Sequence, residues 1–122
     1  QILLHLIGDY LTQTDWMAQE KTKRNLAAAS HAVVYSLPFL LLSPSMLAFA
    51  AILSTHYLID RYRLARYVVF AKNWVTNPAL RWEACKTTGY PETMPPWLEV
   101  WLMIIADNTC HLVLNYAALR WL

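Results

Sequence analysis

Glycine and cysteine each occur only twice in 122 residues, and charge is thin. With Gly8 and Gly89 as its glycines, the chain holds no Gly-rich phosphate loop, and neither a nucleophile elbow nor the His-Glu-x-x-His motif of zinc proteases is present. Cys85 and Cys110 fit neither a zinc-type spacing nor a disulfide framework and read as free thiols. Charged residues make up 15%, against roughly 25% in ordinary soluble domains, and the formal charge of +2 is too small to argue specific nucleic-acid binding. From the residues given, no signal peptide of the usual three-part kind is expected. Beginning at Gln1 rather than methionine, the chain is expected to lack a short N-terminal piece.

What remains is apolar. Hydrophobic residues reach 57%, a helical, lipid-leaning composition. Mean hydropathy is only modestly positive because Arg, Lys, Asn and Trp stud the ends of the apolar runs. The length suits a single helical domain over 1–122, and membrane embedding is expected over a soluble bundle.

Four apolar segments carry the helical pattern. The first spans about Ile2 to Ala18, and the second Leu26 to Leu42, ending at the turn Ser43-Pro44-Ser45. A third runs from Met46 to about Lys72, apolar as far as Ile59 and basic afterwards. The fourth starts after Pro95-Pro96 and reaches Leu122. The irregular stretch Asn73 to Pro96 has room for a short helix around Pro78 to Lys86. The expected fold is therefore an all-α, four-helix membrane-embedded bundle with an irregular connection before the last helix.

Charge placement orients it. Lys21, Lys23 and Arg24 lie between the first two helices, and Arg61, Arg63, Arg66, Lys72, Arg81 and Lys86 follow the apolar part of the third. Two helices crossing out and back return the chain to one side, while the opposite turn is uncharged, so the positive-inside rule puts the basic face in the cytoplasm. Arg61, Arg63 and Arg66 read first as interfacial anchors, and Trp16, Trp74, Trp82, Trp97 and Trp101 as belt residues in contact with membrane lipid.

Each expected helix carries one histidine, and three of the four have an aspartate one turn away: His5 with Asp9, His56 with Asp60, and Asp107 with His111. His31 stands alone. His31 lies 13 residues before Pro44 and His56 lies 12 after it, so the hairpin brings both to about 18–20 Å from the turn. A single polar residue in a helical bundle is more often an interhelical hydrogen-bond partner than a ligand. Four imidazoles and three carboxylates at one depth are costly without mutual pairing or a cation.

The expected ligands of a divalent transition metal, with zinc favoured, are thus His5, Asp9, His31, His56, Asp60, Asp107 and His111. The surplus of ligands favours two ions, or one ion with aspartates in the outer shell. Asp9 and Asp107 double as the catalytic carboxylates. Gln13, Tyr35 and Asn115 continue the polar stripes and read as supports behind the ligands, and Lys21 and Arg61, on the basic side, as groups that neutralise an anionic substrate.

The spaced pattern His5-Leu-Ile-Gly8-Asp9, Gln13-Thr14-Asp15-Trp16-Met17-Ala18 with Lys21, His31, Thr55-His56-Tyr-Leu-Ile-Asp60 and Ile105-Ala-Asp107-Asn108-Thr109-Cys110-His111 resembles an uncharacterised family of small membrane proteins of bacteria and their phages. That family is distantly similar to membrane-bound metal-dependent hydrolases. The resemblance covers nearly the whole chain and implies a helical fold and a metal site.

The expected function is metal-dependent hydrolysis of a phosphoester, in a lipid headgroup or a phosphorylated small molecule such as a nucleotide, from the cytoplasmic side. Two alternatives come from other classes. One is a haem-binding four-helix electron carrier. The other is a non-enzymatic membrane protein, an ion or proton path or a phage-encoded partner of a host membrane protein. Oligomeric state has no signature in the sequence.

Overall fold

The structure, a computed structural model, describes residues 1–122. It is all-α, with six helices and no strand. The chain divides into two compact units, Gln1–Arg63 together with His111–Leu122, and Leu64–Cys110.

In the first unit, α1 (Ile2–Leu6) runs straight into a π-helical turn, Ile7–Leu11. The expected continuation to Ala18 is interrupted: Thr12 turns its hydroxyl back to the Gly8 carbonyl at 3.0 Å, a local bond that competes with helix propagation. Thr14, in extended backbone, then accepts from the Met17 amide at 3.3 Å and caps a new helix, α2 (Asp15–Glu20). Next comes α3 (Asn25–Ser36), tightened into a 3-10 turn over Leu37–Leu42 with Pro38 near its start. Ser43 adopts a left-handed conformation, and the Ser45 hydroxyl, accepting from the Ala48 amide at 3.0 Å, starts α4 (Met46–Tyr62). The expected run to Lys72 is broken at Arg63, a left-handed residue (φ 53°) whose N–H returns to the carbonyls of Asp60 and Ile59.

Helices α3 and α4 form an antiparallel pair with a buried stripe on each. On α3 it is Ala28, His31, Ala32 and Tyr35, continued by Phe39; on α4 it is Ala48, Ile52, His56, Ile59 and Asp60. Residues three and four apart share a helix face, and the small alanines let the backbones come close. Tyr35, Phe39, Ile52 and Ala118 form the apolar core, with Leu4, Ala51 and Leu119 against it. The last part of α6 (Pro96–Trp121) completes the unit with His111, Asn115 and Ala118 buried on one face.

The polarity of this unit is inverted. His5, His31 and His56 are 0% exposed, while Leu41 and Met46 are 81% and 84% exposed. Leu3, Leu11, Leu26 and Leu47 are exposed as well. Two helical stretches, Asn25–Leu42 and Pro96–Trp121, are long and apolar enough to cross a membrane.

The second unit holds α5 (Ala65–Thr76), the stretch 77–95 and the first part of α6. The short helix expected around Pro78 to Lys86 contracts to a 3-10 turn, Trp82–Ala84. Trp82 stacks on Tyr67 at 4.9 Å and meets Phe70 edge-on at 5.2 Å. The Arg66 guanidinium lies over both the Tyr67 and Trp82 rings and donates to the Lys86 carbonyl at 3.0 Å. Gly89 (φ 85°) is pressed against α5: a Cβ there would stand 2.3 Å from the Arg66 carbonyl oxygen, so only glycine fits. Asn73 donates to the Gly89 carbonyl at 3.1 Å and Lys72 to the Tyr90 hydroxyl at 2.9 Å, while Thr88 donates to Glu99. Cys85 is buried, and burial with Glu92 nearby pushes its thiol up.

Candidate metal centre

The α3–α4 hairpin sets the geometry. His31 and His56, level across it, bring their Nε2 atoms to 3.0 Å. Two carboxylates close around that pair. Asp9 Oδ1 lies 3.2 Å from His31 Nε2 and 3.5 Å from His56 Nε2. Asp60 Oδ2 lies 3.1 Å and 3.2 Å from the same two nitrogens. Asp9, His31, His56 and Asp60 are all buried, and each offers a ligand atom within 4.8 Å of the others. In a zinc tetrahedron, ligands at about 2.0–2.1 Å from the ion stand about 3.3–3.4 Å apart. The five separations here, 3.0–3.5 Å, bracket that edge, so the donor set fits a small four-coordinate cation.

Packing holds the imidazoles in place. Tyr35 stacks on His56 with centroids 3.5 Å apart and planes 14° from parallel, and His31 meets His56 edge-on at 4.8 Å. The Nδ1 atoms of both histidines are buried without a hydrogen-bond partner. Ring orientation thus rests on Tyr35 and on the helices rather than on polar contacts at Nδ1.

Each carboxylate faces two ways. Asp9 turns Oδ1 to the His31/His56 pair and Oδ2 to His5 Nδ1 at 3.5 Å. Asp60 turns Oδ2 to the pair and Oδ1 to His111 Nε2 at 3.3 Å. His5 and His111 therefore stand one carboxylate behind the central four and orient them, the part that outer partners play at metal sites. Tyr35 ties this rear layer together: its hydroxyl lies 2.8 Å from His5 Nδ1 and accepts from Asn115 Nδ2 at 2.6 Å.

Asp9 reaches the centre through the π-helical turn and through Gly8. A Cβ at Gly8 would lie 2.6 Å from Tyr35 Cδ2 and 2.9 Å from the Tyr35 carbonyl oxygen, so glycine is what lets the π-helical turn lie against α3. The sequence signal was present, since a glycine inside an apolar helical run usually marks close backbone approach. The surface it approaches is tertiary, on α3, and sequence distance does not name it.

Lys21, expected on the basic side as a group that neutralises an anionic substrate, lies in the centre itself. At the end of α2 its ammonium stands 2.8 Å from Asp60 Oδ2 and 3.3 Å from His31 Nε2, with the side chain 19% exposed. Arg61 is a strap instead: Nε donates to Asn25 Oδ1 and Nη1 to the Thr22 carbonyl, both at 2.7 Å, fastening the basic link between α2 and α3 to α4. Gln13 lies in the link between α1 and α2, outside the central group, with its Oε1 buried and lacking a hydrogen-bond partner. Asp107 sits one turn ahead of His111 on α6, half-buried, and belongs to the second unit.

A family model described as a protein of unknown function (DUF3307) matches residues 1–83, which include the central four residues and Lys21. No curated protein and no solved structure matches the chain.

Proposed function

The chain belongs to the DUF3307 family, and we propose, from its own residues, that it is a membrane-embedded metal-dependent hydrolase acting on a phosphoester from the cytoplasmic side of a bacterial inner membrane. One observation carries the reading: two histidines and two aspartates, all buried, with ligand atoms within 4.8 Å of one another. Asp9, His31, His56 and Asp60 would hold a single divalent ion, zinc by preference for this mixed nitrogen and oxygen set. When bound, such an ion supplies an acidified water and a Lewis acid for a phosphoryl oxygen. His5 and His111 fix the carboxylates, and Lys21, Lys23 and Arg24 give the approach a positive field that suits a lipid headgroup or nucleotide phosphate.

The membrane assignment rests on the inverted polarity of the first unit. A soluble chain does not keep leucines such as Leu11, Leu26 and Leu41 in water while histidines fill its interior; lipid makes that arrangement favourable. Reporter fusions at Ser45 should read as outside the cytoplasm and fusions at Lys23 or Lys86 as inside. Full recovery in the soluble fraction without detergent would overturn this part.

A second reading keeps the residues and drops the metal. Lys21 already supplies a cation to Asp60, which favours a polar path for ions or protons over a catalytic centre. The haem alternative has less support, because His31, His56 and His111 crowd one another ring to ring. Elemental analysis of protein purified in detergent without chelator separates these, followed by a panel of lipid and nucleotide phosphoesters. Stoichiometric metal with turnover that is lost in His56→Ala supports the hydrolase. Metal without turnover of any ester overturns it, and absence of metal favours the path.

A further inference from the structure

We infer that Lys21 is a displaceable cation: it holds the centre together when no metal is bound, and metal entry releases its ammonium to bind an anionic phosphate group of the substrate. The inference rests on the metal reading above. It begins with shared atoms. The Lys21 ammonium contacts Asp60 Oδ2 and His31 Nε2, two of the four atoms that would coordinate the ion. Metal binding needs the lone pair of His31 Nε2, the atom beside which the Lys21 ammonium now stands at 3.3 Å, so ion and ammonium compete for one position.

Charge drives the exchange in the same direction. With neutral imidazoles, Asp9 and Asp60 carry two negative charges, of which Lys21 offsets one. Burying the remainder is unfavourable, so the site retains an appetite for a cation. A divalent ion satisfies both carboxylates and leaves Lys21 beside a like charge, in a medium that screens poorly. The ammonium then has no reason to stay. Its side chain is partly exposed at 19%, so it has a way out that the wholly buried histidines lack.

Once released, Lys21 stands at the edge of a centre whose net charge has turned positive by one. That is the electrostatic complement of a singly charged phosphodiester oxygen pair, and it ties substrate affinity to metal occupancy: the metal-free centre neutralises its own lysine and repels anions.

The test is amine acylation of the full chain in detergent, followed by peptide mass spectrometry, with Lys23 as an internal reference because it is largely exposed. In chelator-treated protein, Lys21 should react about tenfold more slowly than Lys23, the effect of a charged hydrogen bond worth roughly 1.5 kcal/mol. Stoichiometric zinc should remove the difference, and inorganic phosphate added to the zinc form should restore protection at Lys21 and not at Lys23. Lys21→Met should still bind zinc and should show no phosphate-dependent change in zinc affinity. If zinc is bound, by elemental analysis, while Lys21 stays protected, or if Lys21→Met loses zinc, the inference is overturned and the metal reading stands. Failure of zinc to bind the parent protein removes both.

Discussion

The two units of this chain use the same kinds of residue to opposite ends. In Gln1–Arg63 with His111–Leu122, four histidines and two aspartates are buried while many leucines are exposed; in Leu64–Cys110, Arg66, Lys72 and Lys86 lie at or near the surface and bond to a backbone carbonyl, a phenol and a carboxylate. A charge at the surface of the second unit is a fastening, easily replaced by water. A charge inside the first has no such substitute and must be balanced by another charge, a proton or an ion. The energetic weight of a residue here follows from where it sits more than from what it is, and substitutions matched between the units measure that difference.

The largest contrast should come from Asp60→Ala. Removing the carboxylate leaves the Lys21 ammonium and three imidazoles facing one another, a loss of about 3–5 kcal/mol as for other broken buried ion pairs. Metal retention should be abolished with it. Thermal melting in detergent and elemental analysis read the two effects, and an Asp60→Ala protein that keeps its metal would show that the centre lies elsewhere.

Second in size is the pair of glycine replacements. Gly8→Ala and Gly89→Ala both force a Cβ into backbone, and each should cost about 1–3 kcal/mol by overpacking. Their consequences should diverge. Gly8→Ala pushes the π-helical turn off α3 and carries Asp9 away, so it should weaken metal binding; Gly89→Ala should loosen the second unit and leave metal affinity unchanged. Equal effects on metal binding would erase the distinction between the units.

Tyr35→Phe is smaller. It keeps the stack on His56 and removes the hydroxyl that contacts His5 and Asn115, leaving buried polar groups short of a partner at about 1–2 kcal/mol. A tenfold or smaller loss of metal affinity, read by competition with a chelating dye, fits a supporting role; complete loss would promote Tyr35 to the centre. The smallest effect belongs to Lys86→Ala. Its pairing with Glu83 at 3.5 Å is exposed, so stability should stay within about 0.5 kcal/mol of the parent.

Much of the centre was legible in the chain because helical periodicity and a hairpin of known length turn sequence distance into spatial position. Counting residues on either side of Pro44 puts His31 and His56 level, and their Nε2 atoms meet at 3.0 Å. The i,i+4 pairing of His56 with Asp60 holds in the same way, at 3.2 Å. Three features escaped. The break at Arg63 needs a non-glycine residue in the left-handed region, a choice that tertiary packing imposes and composition does not announce. The π-helical turn leaves no pattern distinguishable from an ordinary helix in so short a run. Lys21 reads from the sequence as a group for an anionic substrate, but its place among the ligand atoms is not legible there; only the fold reveals that it, unlike Lys23, reaches Asp60.

The π-helical turn at Ile7–Leu11 also acts as a phase shifter. It spends one residue more per turn than an α-helix, and each residue is worth about 100° of rotation. Deleting a single residue there would let the segment relax into a continuous α-helix with better hydrogen bonds, yet everything before the deletion would swing by that arc relative to Asp9, taking His5 off the carboxylate it now faces. The more regular helix would be the blinder one. Selection for local helical stability and selection for a working centre thus pull on the length of this five-residue turn in opposite directions.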